Sequence, residues 1–112
     1  MIPKDLVAAS AKPLILSILS SGESYGYEII QRIKKLSDNQ IIWKDGMLYP
    51  VLHRLQDQDL IESEWRITDN GRKRKYYRLK KNGKKALETD KKQWMIVHST
   101  FLKMWEAEPC LT

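Results

Sequence analysis

KDGMLYPVLHRLQDQDLI, residues 44–61, is the stretch that decides the fold. Its apolar side chains fall at i, i+3, i+4 and i+7, which is the spacing of one helix face: Leu48, Val51, Leu52 and Leu55. The opposite face carries Pro50, His53, Arg54 and Asp57. Asp45 is the expected N-cap, because its carboxylate can accept from free amides of the first turn. The pattern predicts a short helix with one buried face and a partly basic outer face.

A basic hairpin is predicted directly after this helix. In residues 61–67 the side chains Ile61, Ser63, Trp65 and Ile67 alternate with charged ones, which is the period of a strand. Residues 68–71, TDNG, form a turn in which Gly71 supplies a positive φ. Residues 72–79, RKRKYYRL, then return as the second strand. A helix followed by such a hairpin is typical of a recognition helix and its wing.

Two further helices are predicted before this stretch, within residues 3–21 and 24–37. Pro13 either kinks the first helix or occupies the first turn of a second piece. We expect Ser24 to cap the next helix. Gly26, which is costly inside a helix, indicates a close helix crossing or a backbone approach to a phosphate, and the crossing is the commoner cause. Residues 41–43 suit a short strand paired with the wing.

A long helix is predicted from residues 81–83 to about residue 106. About 25 residues span close to 40 Å, which is longer than a domain of this size needs. Many of its apolar side chains would remain exposed to solvent in a monomer, and a symmetric homodimer that buries them is the simplest explanation. The residues expected at that interface are Leu6, Val7, Leu87, Trp94, Val97, Phe101, Leu102 and Trp105.

The charge of this chain of 112 residues is concentrated in one segment. The net charge is +6, yet residues 1–61 hold seven Lys/Arg and seven Asp/Glu, while residues 62–92 hold twelve against five. A concentrated positive patch indicates a polyanionic partner, either nucleic acid or an anionic membrane surface. The neutral first half and the lack of an amphipathic basic helix disfavour the membrane. We therefore expect double-stranded DNA as the partner.

Several other classes are disfavoured by what the sequence lacks. The single cysteine, Cys110, allows no intrachain disulfide and is expected to be an inert tail thiol. The apolar run in residues 11–22 is too short to span a bilayer, and no signal peptide is apparent, so a cytoplasmic protein is expected. His53 and His98 belong to no ligand-spaced cluster. Without a nucleophile–base pair or a phosphate-binding glycine loop, we expect neither an enzyme nor a cofactor or metal.

The order of elements predicts a mainly α (α+β) winged helix-turn-helix. Residues 1–80 would form the DNA-binding domain, and residues 81–112 a dimerisation helix and tail packed with the N-terminal helix. The third helix of such a fold enters the major groove, and wing cations contact phosphates, which give affinity but little sequence information. Packing of Tyr49 against the wing is nearly as plausible as DNA contact. The candidate DNA contacts are Lys44, Met47, Tyr49, His53, Arg54, Arg72, Lys73, Arg74 and Lys75.

SYGYEI (24–29), DGMLYPVLHRLQDQDLI (45–61) and RKRKYYRLKKNGKKAL (72–87) resemble the PadR-like transcriptional regulators. The resemblance runs from about Ala11 to Trp105. It implies a homodimeric winged-helix protein, usually a repressor, which would bind a pseudo-palindromic operator. Two positions depart from the family pattern. Asp59 replaces the usual Gly and can still adopt a left-handed turn at some cost, and Lys80 replaces a capping Thr, so that Asn82 becomes the expected cap a little later.

The resemblance also implies a ligand site. In multidrug-binding members of the smaller subfamily, a Trp on the last helix stacks on planar drugs, and Trp94 matches its place. Flat aromatic molecules stack well on such rings. An aromatic effector at the dimer interface that releases DNA is the corresponding hypothesis. The alternative for the whole chain is a winged-helix protein-interaction module without specific DNA binding.

Overall fold

The computed structural model of this protein describes residues 2–106. Expectations about the tail and its thiol Cys110 lie outside the described residues. The helices and strands follow the expected order: α1 (Lys4–Ser20), β1 (Ser24–Tyr25), α2 (Gly26–Leu36), α3 (Asp45–Asp57), β2 (Ile61–Ile67), β3 (Lys73–Leu79) and α4 (Lys81–Trp105). The mainly α winged helix-turn-helix with a long last helix is confirmed. Pro13 lies inside one continuous α1.

The sheet has three antiparallel strands in the order β1–β3–β2. The hairpin is confirmed, and Gly71 in its turn has φ +81°. The strand expected at residues 41–43 is wrong, because the strand that pairs with the wing is Ser24–Tyr25, opposite Tyr76 and Tyr77. The edge of β3 that does not pair with β2 is thus paired with β1, directly before α2. The side chain of Trp43 is buried in the core instead.

The three predicted N-caps are also wrong. Helices α2, α3 and α4 begin after Tyr25, Lys44 and Lys80, and none of these residues makes a side-chain capping bond. Ser24 is a strand residue whose hydroxyl donates to the Glu28 carboxylate. Asp45 is already the first residue of α3, where its charge still favours the positive helix end. Asn82 lies within α4.

The two departures from the family pattern contact each other. Asp59 has φ 63°, as expected for a residue in the position of a left-handed Gly. Its carboxylate accepts hydrogen bonds from the ammonium of Lys80 and, at 3.0 Å, from the amide of Asn82. These bonds, that of Lys80 above all, hold the pKa of the Asp59 carboxyl below its ordinary value. The end of α3 is thereby tied to the start of α4.

The core forms around α1, which packs on the sheet and on the other three helices. Its fully buried side chains include Ile15 and Leu16, which cluster with Ile29, Leu48 and Tyr77. Two residues expected at a dimer interface belong to this core: Val7 and Leu87 are 6% and 3% exposed. Their burial within a single chain leaves almost no surface for a partner.

The second half of α4 extends from the domain, and the molecule is 64 Å long and 21 Å across its thinnest axis. The rings of Phe101 and Trp105 stack at 4.8 Å and remain open to solvent. Trp94 and Val97 on the same face are also exposed. No helix that the structure describes is long and apolar enough to cross a membrane.

Gly83 is required by the close approach of α4 to the link between α3 and β2. A Cβ at this position would overlap the carbonyl oxygen of Leu60. We expect Gly83→Ala to lower the free energy of unfolding by about 1–3 kcal/mol, the usual cost of overpacking. Urea denaturation measures this change.

Gly46→Ala is the matched control, because a Cβ at this helical glycine would meet nothing within 4 Å. It should raise stability by about 0.5–1 kcal/mol, since it removes the entropic cost of a helical glycine. Equal effects of the two substitutions would contradict the packing assigned to Gly83.

Candidate nucleic-acid interface

A groove of about 750 Å³ lies between α3 and the wing, residues 61–79. We call it the α3–wing groove. It brings together six of the nine predicted DNA contacts: Tyr49, His53, Arg72, Lys73, Arg74 and Lys75. Lys44 and Arg54 are exposed but do not line it. Met47 lies away from the groove, beside Ile2 and Trp43 around a cavity of about 120 Å³.

Tyr49 forms part of the groove floor and packs where α2 and α3 cross. A Cβ on Gly26 would overlap the Tyr49 hydroxyl and lie 2.8 Å from its Cζ. The helix crossing inferred from Gly26 is therefore confirmed, and Tyr49 packs at this crossing with α2, whereas the predicted alternative to DNA contact was packing against the wing. Burial, and secondarily the charge of Asp45, raises the pKa of Tyr49. Tyr77 beside it is 1% exposed, and burial raises its pKa as well, so both phenols are neutral at physiological pH.

Two arginines on one face of the wing are paired with carboxylates. Arg78 lies 2.8 Å from a carboxylate oxygen of Glu62 and 3.0 Å from one of Glu64. Arg66 donates to Glu23 and, at 3.1 Å, to Glu64. The hydrogen bonds from Arg78 and Arg66 lower the pKa of Glu64, and that from Arg66 lowers the pKa of Glu23. Two of the wing's arginines therefore add little to its external field.

The remaining wing cations form no ion pair with any carboxylate in residues 2–106. Lys73 and Lys75 project on the same side of the sheet as Trp65, and Arg74 lies 4.3 Å from the ring centroid of Tyr25. Together with Arg72 they line the α3–wing groove. Four unpaired wing cations are thus gathered at this groove, although Arg74 projects from the same side of β3 as Arg78.

The aromatic residues of the groove were not predicted from the sequence. Tyr25, Tyr27 and Trp65 line it but were not among the candidates. The alternation that placed Trp65 on one face of β2 was visible in the sequence. Which face would turn toward α3 depends on the packing of the whole wing, and periodicity alone does not give it.

The comparisons with known proteins agree with this geometry. The model of the transcriptional regulator PadR-like family matches residues 15–89, more than half of the chain. This chain is a member of the PadR-like family. The chain is 34% identical over 97 residues to an uncharacterized protein of Lysinibacillus sphaericus, covering 87% of this chain and 89% of that one. It is 34% identical over 89 residues to the transcriptional regulator Rv3488 of Mycobacterium tuberculosis, covering 80% and 79%.

Solved structures of PadR-like proteins share the fold along nearly the whole chain. A PadR-like transcriptional regulator from Bacillus cereus is 31% identical, with a TM-score of 0.82, over 94% of this chain and 100% of that one. A transcriptional regulator from Clostridium thermocellum is 29% identical, also with a TM-score of 0.82, over 92% and 97%. Members of this family are transcriptional regulators rather than enzymes. This chain is accordingly a PadR-like transcriptional regulator with a winged-helix fold.

The contrast between the two wing faces predicts different effects of two substitutions that each remove one positive charge. Lys75→Ala removes an unpaired cation of the groove, whereas Arg66→Ala removes a cation already paired with Glu23 and Glu64. We expect Lys75→Ala to flatten the slope of log K against log salt for duplex DNA by about 0.9, the value of one lost phosphate contact. Arg66→Ala should change this slope far less.

Fluorescence anisotropy with a labelled duplex at several salt concentrations measures both slopes. Because the change in net charge is the same for the two variants, equal flattening would show that only total charge matters and would contradict the two-faced wing.

Proposed function

We propose that this PadR-like protein is a repressor that binds a pseudo-palindromic operator as a homodimer. The observation that carries the proposal is the α3–wing groove, in which the exposed side of a helix faces four unpaired wing cations, whereas Arg66 and Arg78 are paired with carboxylates. In this arrangement α3 lies in the major groove of DNA, and the adjacent backbone strand lies between α3 and the wing.

Sequence recognition and electrostatic affinity are proposed to come from different elements, α3 and the wing. His53 and Arg54 project from the exposed side of α3, and neither forms an ion pair within the described residues. Residues 44–61 carry two cations, Lys44 and Arg54, and three carboxylates, Asp45, Asp57 and Asp59, so this stretch has no excess of positive charge. Phosphate contacts from residues 72–75 must therefore supply most of the electrostatic affinity.

The exposed apolar face of α4 supports the homodimer. Trp94, Val97, Phe101 and Trp105 lie on it, with Leu102 half-buried beside them. On the N-terminal helix, Leu6 is also exposed. A monomer that leaves so much contiguous apolar surface in water is unfavourable, and a two-fold contact through α4 buries it. The same contact would place two α3 helices about one turn of DNA apart, roughly 34–36 Å.

Selection of bound sequences from a random duplex library tests this proposal. A pseudo-palindrome with half-site centres about one helical turn apart is the expected product, and light scattering should give a dimer. Arg54→Ala should change the preferred bases within each half-site rather than weaken all sequences equally. Binding that ignores sequence, or no binding to duplex together with retention of a protein partner, would instead favour the protein-interaction module.

The effector is a further part of the proposal and rests on a cavity of about 290 Å³ between α1 and α4. Trp94 and other apolar side chains line it, together with Asp90, Lys91 and two serine residues, Ser10 and Ser17. One carboxylate oxygen of Asp90 is buried and has no hydrogen-bond partner in the described part of the chain, and the other lies 3.5 Å from the Lys12 ammonium. An unsatisfied carboxylate beside an indole suits a planar aromatic molecule that carries a cationic or hydrogen-donating group. We propose that such a ligand releases DNA.

This cavity predicts that Trp94→Ala lowers the affinity for a planar cationic dye by about tenfold, since the stacking surface is lost. Ile96→Ala is the control, because Ile96 is exposed on the same helix but does not line the cavity. Calorimetric titration measures both. Asp90→Asn should lower the affinity for the cationic dye more than the affinity for a neutral dye of similar shape. Unchanged affinity in Trp94→Ala would contradict the site.

A further inference from the structure

Trp65 is an exposed aromatic side chain on the side of the wing that lines the α3–wing groove. It is 60% exposed, and Ile67, two residues further along the same face of β2, is 71% exposed. Large apolar side chains that are grouped and exposed mark surfaces that bind a partner.

The surroundings of Trp65 indicate the chemistry of that partner. The Nζ atoms of Lys73 and Lys75 lie 5.9 and 5.8 Å from the centroid of the Trp65 ring. Lys75 is directly opposite Trp65 in the β2–β3 register. Two cations that no carboxylate of the described chain neutralises therefore lie over the Trp65 ring, close enough for phosphates beside it to reach them.

A DNA strand has the complementary pattern, because apolar deoxyribose rings alternate with phosphates along its backbone. We propose that Trp65 packs on a deoxyribose of the strand that lies in the α3–wing groove, while Lys73 and Lys75 bind the phosphates on either side. This inference rests on the proposed DNA-binding function. It adds an apolar, salt-independent contact to an interface otherwise described by charge.

The position of Trp65 along the wing favours the backbone over a base. Trp65 lies within β2 and faces the groove, whereas the turn at the tip of the hairpin spans residues 68–71. A second copy of this chain is disfavoured as the occupant, because two identical wing faces would bring unpaired cations together.

Hydroxyl-radical footprinting with the full chain on its selected operator tests the contact, since this reagent attacks deoxyribose. The wild-type protein should protect one or two sugars beside each half-site that Trp65→Ala leaves open. Equilibrium titration should show an affinity about tenfold lower for Trp65→Ala at every salt concentration, with the slope of log K against log salt unchanged. Trp65→Phe, which keeps an apolar ring, should recover most of the affinity and the protection.

Leu36→Ala is the matched control, because Leu36 is an exposed apolar side chain of the same domain that does not line the groove. It should leave the footprint and the affinity unchanged. Unchanged protection in Trp65→Ala would overturn the sugar contact. A slope that flattens as much as in Lys75→Ala would also overturn it, since Trp65 would then act only by holding the lysines. Dissociation of a dimer by Trp65→Ala would assign the surface to a second copy. If the wild-type protein binds no duplex, the proposed function itself fails, and that result is distinct from all of these.

Discussion

The close contact between the backbone at Gly26 and the ring of Tyr49 is the constraint on which the site depends. It fixes the separation of α2 and α3, because a side chain at position 26 would occupy the volume of the Tyr49 hydroxyl. The two residues before Gly26 form β1, which pairs with Tyr76 and Tyr77 of the wing. The start of α2 is therefore held on one side by α3 and on the other by the sheet. The width of the α3–wing groove follows from these two attachments.

The alternation of side chains along the hairpin then divides the charge. Glu62, Glu64, Arg66 and Arg78 project on one side and pair among themselves and with Glu23, while Lys73 and Lys75 project on the other side with Trp65. A count of charges in the sequence treats all these cations alike. In the folded chain, ion pairing removes part of the field on one face and leaves the groove positive. In the proposed homodimer, the contact through α4 would set the distance between the two α3–wing grooves on DNA.

Most of the fold could be predicted because it follows from local periodicity: the helices, the hairpin and the long last helix all appear where the pattern indicates. The errors concern interactions that periodicity does not contain. The caps at Ser24, Asp45 and Asn82 failed because a helix start is decided within one residue by surrounding contacts. The third strand was misplaced because the free edge of β3 is covered through tertiary packing. Asp59 and Lys80 depart from the family pattern at positions far apart in the sequence. Only the folded structure shows that they form an ion pair. For the site, sequence predicted the cations but missed Trp65 and the helix-crossing function of Tyr49.

The most direct test of this account is the ratio of operator to unrelated-duplex affinity in Gly26→Ala, measured where circular dichroism shows the variant to be folded. The added methyl group would overlap the end of the Tyr49 side chain, and we expect the resulting shift of the ring to change the position of α3 relative to the wing. The account predicts that operator affinity falls toward that of unrelated DNA, while binding to unrelated duplex at low salt persists, because the wing cations remain in place. A folded Gly26→Ala protein with the wild-type ratio would contradict the claim that this contact sets the geometry of the site.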